Sequence, residues 1–260
     1  MIDPTPLWDF DDPAGSERRF RESAAAATGA DRLVLLTQVA RALGLQDRFA
    51  EAHDILDQVL AEPRTTAEPD EASIADAQVT TRVALERGRL FRSAGKPHEA
   101  RPCFENAVAE ARRAGNDALL VDALHMVALV VPADEQTALL DEAIEVARAS
   151  SDPAARRWEA SLLNNLGMTH ADAGEWQTAL AVFEQALAAR QVTGKAGDVR
   201  IARWMVAWAL RNLGRTGEAL AIQSRLKAEL LAAGEADPYV DEELQLLTGG
   251  PEAPTAAAPS

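Results

Sequence analysis

The side chains in this sequence that could do chemistry are arginine, asparagine, histidine and tryptophan, and their spacing is helical. Trp204 and Trp208 stand at i and i+4, with Arg211 and Asn212 a turn further on. Arg82, Glu86 and Arg89 follow one another at helical intervals, as do Asp122 and His125. Asn164, Asn165 and Met168 form a fourth group. Positions three or four apart share one face of a helix. Such faces suit recognition. A guanidinium grips a carboxylate with two prongs. A carboxamide pairs with an extended backbone through its donor and its acceptor. An indole stacks on a cation or covers an aliphatic chain. Nothing arranged for making bonds accompanies them: there is no glycine-rich phosphate loop, no HExxH metal pair and no G-x-S-x-G turn. Asp134-Glu135 and Asp141-Glu142 fall on turns or solvent faces. No catalytic residue, metal or cofactor is expected.

The elements that must position these groups are clearest over residues 156–190. Leu163, Leu166, Gly167 and His170 repeat at helical spacing, and Ala179, Phe183 and Ala186 do so again after Gly174. This reads as two helices packed back to back, with small residues where they approach. The unit recurs. The expected repeats span about 31–62, 74–113, 116–149, 156–191 and 197–233. Their second-helix anchors are Ala52, Ala100, Gln136, Ala179 and Ala219. The third repeat is the most degenerate, with Pro132 expected to close its first helix and Gln136 replacing alanine. Residues 1–30 read as a lead-in, carrying Trp8 and Phe10, then a helix opened by Asp12-Pro13. The segment 61–73 reads as a long polar loop. Residues 235–248 read as a short capping helix, and 249–260 as a disordered tail.

Composition narrows the function classes. The 260 residues carry a net charge of −15, which opposes nucleic-acid binding. Positive charge is almost all arginine, since lysine occurs only at Lys96, Lys195 and Lys227. The single cysteine, Cys103, allows no internal disulfide. No basic, apolar leader opens the chain and no stretch suits a bilayer. A cytoplasmic protein without membrane contact is expected.

The repeat pattern, with Leu166-Gly167, Ala179, Phe183 and Ala186 at fixed offsets, resembles the tetratricopeptide repeat. The wording LLTQVARALGLQDRFAEAHDILD, ARRWEASLLNNLGMTHADAG and IARWMVAWALRNLGRTGEALAIQ is similar to stand-alone bacterial members of that superfamily, which have no assigned activity. The resemblance implies an all-α, right-handed solenoid of about five helix-turn-helix repeats with capping helices at both ends. Neighbouring repeats must stack to bury their apolar faces. First helices then line a concave groove that would hold Arg82, Glu86, Arg89, Asp122, His125, Asn164, Asn165, Met168, Trp204, Trp208, Arg211 and Asn212. Trp204 and Trp208 are either an aromatic ridge there or core residues shared with the next repeat. The superfamily's chaperone-adaptor carboxylate clamp would fall on Val121, His125, Asn165, Ile201 and Met205, and only Asn165 matches. The expected function is a non-catalytic adaptor or scaffold that holds a peptide or partner segment, acting as a monomer or weak homo-oligomer. The alternative is a sensor that responds to a ligand or signalling peptide and acts in trans.

Overall fold

The structure, a computed structural model, describes residues 2–62 and 69–249. Among them all regular structure is helical. A 3-10 turn (Thr5–Leu7) leads to α1 (Pro13–Ala26). Helical hairpins follow: α2 (Gly29–Gly44) with α3 (Phe49–Ala61), α4 (Pro69–Ser93) with α5 (Pro97–Arg113), and α6 (Asp117–Ala128) with α7 (Ala133–Ala149). The short α8 (Pro153–Arg156) precedes α9 (Glu159–Asp172) with α10 (Trp176–Thr193), α11 (Ala196–Asn212) with α12 (Thr216–Ala233), and α13 (Pro238–Thr248). The chain divides into two compact units, residues 1–156 and 157–260.

In the first unit, Asp12 caps α1 by accepting from the Gly15 amide at 2.8 Å, and Pro13 takes the first turn, where its missing N–H leaves no bond unmade. Phe20 of α1 is buried with Val34, Leu35, Val39 and Leu43 of α2, Leu56 of α3 and Leu90 of α4. Successive helices pack against each other, and α2, α4 and α6 also adjoin in a row. The Glu17 carboxylate ties α1 to the turn after α2, accepting from Gln46 at 3.0 Å and Arg48 at 2.8 Å. At the N-terminal end Trp8 stacks on Phe10, meets Phe20 edge-on and donates its indole N–H to Gln38 at 3.0 Å. In the second unit, Leu180 and Phe183 of α10 are buried with Met205 and Leu210 of α11, Leu226 and Leu230 of α12 and Val240 of α13.

One contact recurs inside the hairpins. A Cβ built on Gly88 of α4 would lie 2.3 Å from the Phe104 ring of α5, and one on Gly167 of α9 would lie 2.4 Å from the Phe183 ring of α10. Glycine there lets a phenyl ring seat directly on the facing backbone. At the same register the other hairpins carry Ala40 with Leu56, Leu124 with Leu140, and Ala207 with Gln223. Gln223 is the odd member: it is 0% exposed, and neither its Nε2 nor its Oε1 has a hydrogen-bond partner. Gly174 turns α9 into α10 with φ of 76°. Asp47, with φ of 58°, holds the equivalent place between α2 and α3.

Two expectations about local structure need correction. The polar stretch 61–73 is not all loop, because α4 already begins at Pro69, a residue suited to a first helical turn; residues 63–68 lie outside those described. Pro132 does not close α6, which ends at Ala128, but stands at the N-cap of α7. Of the tail expected at 249–260, all but Gly249 lies outside the described residues.

Candidate functional site

In the first unit the row α2, α4, α6 gathers charge. Arg89 of α4 is the centre. Its Nη1 donates to Glu86 Oε1 at 2.6 Å, and its Nη2 to Asp122 Oδ1 and Oδ2 of α6 at 2.6 and 2.7 Å. The three side chains are 16%, 3% and 14% exposed, so this is a largely enclosed network rather than an open row of charges. Burial pushes the Asp122 carboxyl up, but the charge and hydrogen bonds of Arg89, with the charge of Arg41, outweigh it and hold the group below the usual aspartate range. Burial likewise opposes the Arg89 charge, and Asp122 and Glu86 more than restore it. Burial pushes the His125 imidazole pKa down, Asp122 pulls it back, and Arg89 and Arg92 add to the lowering.

Arg82 and Arg41 border this network. Burial lowers both guanidinium pKa values, and each feels the charges of Arg89, Glu86 and Asp122. The Arg41 guanidinium lies over the Trp8 ring at 5.5 Å and the Phe10 ring at 5.6 Å, within cation–π range. The Nε of Arg82 is buried with no hydrogen-bond partner. Sequence reading missed Arg41 because it assigned no groove residue to the first repeat. The signal was present: Arg41 follows Ala40 as Arg89 follows Gly88 at the equivalent place one hairpin later.

The second unit carries the other candidate residues. Trp204 is 3% exposed and packs in the core, the second of the two placements its spacing left open, rather than in a groove. The reason is α13, which lies against α11 and brings Tyr239 edge-on to Trp204 at 6.3 Å. Trp208 is half-buried, stacked on Trp204 at 6.0 Å and edge-on to Trp176 at 4.8 Å. Arg211 grips the buried Glu243 of α13 with two bonds of 2.8 Å, so it fastens that helix. Asn212 is exposed and donates to the Trp208 carbonyl at 2.8 Å. Asn164, Asn165 and Met168 are half-buried along α9. A hollow of about 210 Å³ opens between α11, α12 and α13, lined by Ile201, Trp204, Leu226, Leu230 and Tyr239 among others.

The chemistry on offer is recognition through guanidinium, carboxamide and indole groups. Among the described residues no three His, Cys, Asp or Glu side chains gather where they could hold a metal, and no helix is long and apolar enough to cross a membrane. Cys103 lies beside a second hollow, of about 240 Å³, with its thiol pKa pushed up by burial.

The tetratricopeptide repeat family profile matches residues 158–226. No curated protein sequence matches the chain. Among solved structures, BtubC (BKLC) from P. vanneervenii is similar over 100% of this chain and 99% of its own, with 17% identity and a TM-score of 0.66. A putative kinesin light chain from P. anserina with nearly identical TPR-like repeats is similar over 78% of this chain and 96% of its own, at 18% identity and a TM-score of 0.57. The apo form of the quorum sensor NprR from B. thuringiensis is similar over 92% of this chain and 64% of its own, at 14% identity and a TM-score of 0.59. At these identities the likeness is one of fold. The profile match places tetratricopeptide repeats within α9–α12 of the second unit, and the first unit is built from helical hairpins of the same kind.

Proposed function

We propose that the chain is a non-catalytic interaction protein whose first-helix faces bind a peptide or a segment of a partner protein. The observation that carries this is the face of α2, α4 and α6. It carries Arg41 and Arg89 at equivalent positions of successive hairpins, and beside them Arg82, whose buried Nε has no acceptor. In the second unit, Asn164, Asn165, Met168, Trp208 and Asn212 supply the adaptable polar and aromatic contacts that peptide grooves use. A net charge of −15 supports a partner other than nucleic acid.

The test is affinity capture with the full chain and with an Arg82→Gln, Asn212→Glu double variant of equal helicity. A protein held by the native chain and lost from the variant is the expected result. Equal capture of the same proteins by both would refute these faces as the binding surface. A second reading, a sensor of a small ligand or signalling peptide, is favoured by the hollow beside Trp204 and by the fold shared with a quorum sensor. Thermal shift of the native chain, but not of Ile201→Trp, by a small-molecule panel would favour that reading over the adaptor.

A further inference from the structure

A buried indole N–H usually has an acceptor. That of Trp8 does, donating to Gln38 at 3.0 Å. Trp204 breaks the rule: it is 3% exposed, and its Nε1 is buried with no hydrogen-bond partner among the described residues. The ring is otherwise well held, stacked on Trp208 at 6.0 Å and met edge-on by Tyr239 at 6.3 Å. An enclosed donor without an acceptor is costly, and the cost is removed when an acceptor arrives.

Trp204 is also a wall of the hollow between α11, α12 and α13. Buried Leu226, Leu230 and Val240 line it with Trp204, whereas Ile201 and Tyr239, 44% and 40% exposed, stand where it meets solvent. The hollow thus has an apolar floor and an open mouth. Its volume sets the size of a guest. An apolar cavity of about 150 Å³ takes up benzene, so about 210 Å³ holds one ring with a short substituent. The charges at the rim favour a neutral guest. Arg200 is already paired with Glu235 at 2.6 Å. Asp237 accepts from the Tyr239 amide at 2.9 Å, so the start of α13 already has its anion. An arriving anion would meet both carboxylates, and an ammonium would bring no lone pair for Trp204. Residues 250–260 hold only Gly, Pro, Glu, Ala, Thr and Ser, so they bring neither an aromatic ring nor a large aliphatic side chain to fill the space.

We propose that this hollow binds a small, neutral, apolar molecule, one ring in size, whose carbonyl or ether oxygen accepts the Trp204 indole N–H. This rests on the sensor reading above and gives its ligand a chemistry and a place. The guest touches α11, α12 and α13 together. Occupancy therefore adds to the hold that Arg211–Glu243 and Lys227–Asp241 already have on α13.

The test uses the full chain and three probes of matched size: acetophenone, which has the acceptor; cumene, which lacks it; and benzoate, which carries a charge. Binding is read from the indole Nε1–H resonances, with that of Trp204 assigned by its loss in Trp204→Phe. Acetophenone should move the Trp204 resonance and bind at least about 10-fold more tightly than cumene. Benzoate should bind most weakly. Trp204→Phe should erase the advantage of acetophenone over cumene, and Ile201→Trp should block both, each with helicity and urea midpoint preserved. Hydrogen exchange in α13 should slow when acetophenone is bound. If acetophenone and cumene bind alike, the acceptor assignment fails while the sensor reading stands. Tighter binding of benzoate overturns the neutral class. Binding that survives Ile201→Trp lies elsewhere and overturns the site. Displacement of acetophenone by tighter-binding short peptides centred on Phe or Tyr overturns the small-molecule class and returns the hollow to the adaptor reading. Binding of no probe at all overturns this proposal and strips the sensor reading of its hollow, leaving the adaptor reading untouched.

Discussion

Replacing Gln223 with leucine should make the protein more stable. Gln223 of α12 is 0% exposed, and neither end of its amide is bonded. A buried polar group without a partner costs about 1–3 kcal/mol relative to a satisfied one. Leucine is of similar size, and Leu56 and Leu140 occupy the same register in other hairpins, so the pocket it enters is of a kind the fold already fills. The gain from removing the amide is offset slightly by imperfect fit, since volume-conserving swaps cost under about 1.5 kcal/mol. A net stabilisation of about 1–2 kcal/mol follows. Urea unfolding would measure it, followed by tryptophan fluorescence, because Trp158, Trp176, Trp204 and Trp208 all lie in the second unit. A rise in midpoint with unchanged slope is the expected signature. Gln223→Glu, which buries a charge, should lower the midpoint instead. If Gln223→Leu is neutral or destabilising, the amide is satisfied in solution, by a buried water for instance, and the reasoning fails.

Gly88→Ala and Gly167→Ala should each destabilise by up to about 2 kcal/mol, because crowding against a buried phenyl ring costs about 1–3 kcal/mol and helix propensity returns roughly 1 kcal/mol of it. Pairing them with Phe104→Leu and Phe183→Leu should recover part of the loss in a double-mutant cycle; strict additivity would show that the rings do not seat on those backbones. For Glu17, burial raises the pKa, but hydrogen bonds from Arg21 and Gln46 and the charges of Arg21 and Arg48 win and lower it. Its contribution is therefore complete above the unfolded glutamate value of about 4.3 and is lost as pH falls through the lower folded value. Comparing acid unfolding of the native chain and Glu17→Gln should show the stability gap closing below about pH 4.3; a constant gap down to pH 2 would contradict it. Glu243→Ala should cost about 1.5–3 kcal/mol by stranding Arg211, and hydrogen exchange should speed up in α13 before α9.

The hairpins were legible in the sequence because their signals are local. Gly167 with Phe183 and Gly88 with Phe104 state a close helix crossing in residue types alone, and Gly174 marks the turn. The start of α4 was not legible, since Pro69 in a polar stretch reads as a loop breaker until a helix is seen to begin with it. The site was legible only by half. Helical spacing put Arg82, Glu86, Arg89, Asp122 and His125 on first helices, but it carries no information about which charges close on one another. That Arg89 is held between Glu86 and Asp122 depends on the distance between α4 and α6. Trp204 was ambiguous for the same reason, because the element that covers it, α13, lies beyond the hairpin. Arg41 was overlooked although its position repeats that of Arg89.

The ion pairs that join one hairpin to the next carry a consequence for how such a chain can change. Arg89–Asp122, Arg101–Glu135, Arg112–Glu142, Arg200–Glu235 and Arg211–Glu243 link residues 30 to 35 positions apart, about one repeat length. From α4–α5 to α6–α7, and from α11 to the segment that follows α12, the earlier element offers the cation and the later one the acid, whereas between α2–α3 and α4–α5 the order is reversed, with Asp57 answered by Arg87. A duplicated or deleted hairpin keeps its neighbours satisfied only when both halves of that lock travel in phase. A hairpin inserted out of that pattern would leave its neighbours' arginines or acids unpaired at the seams.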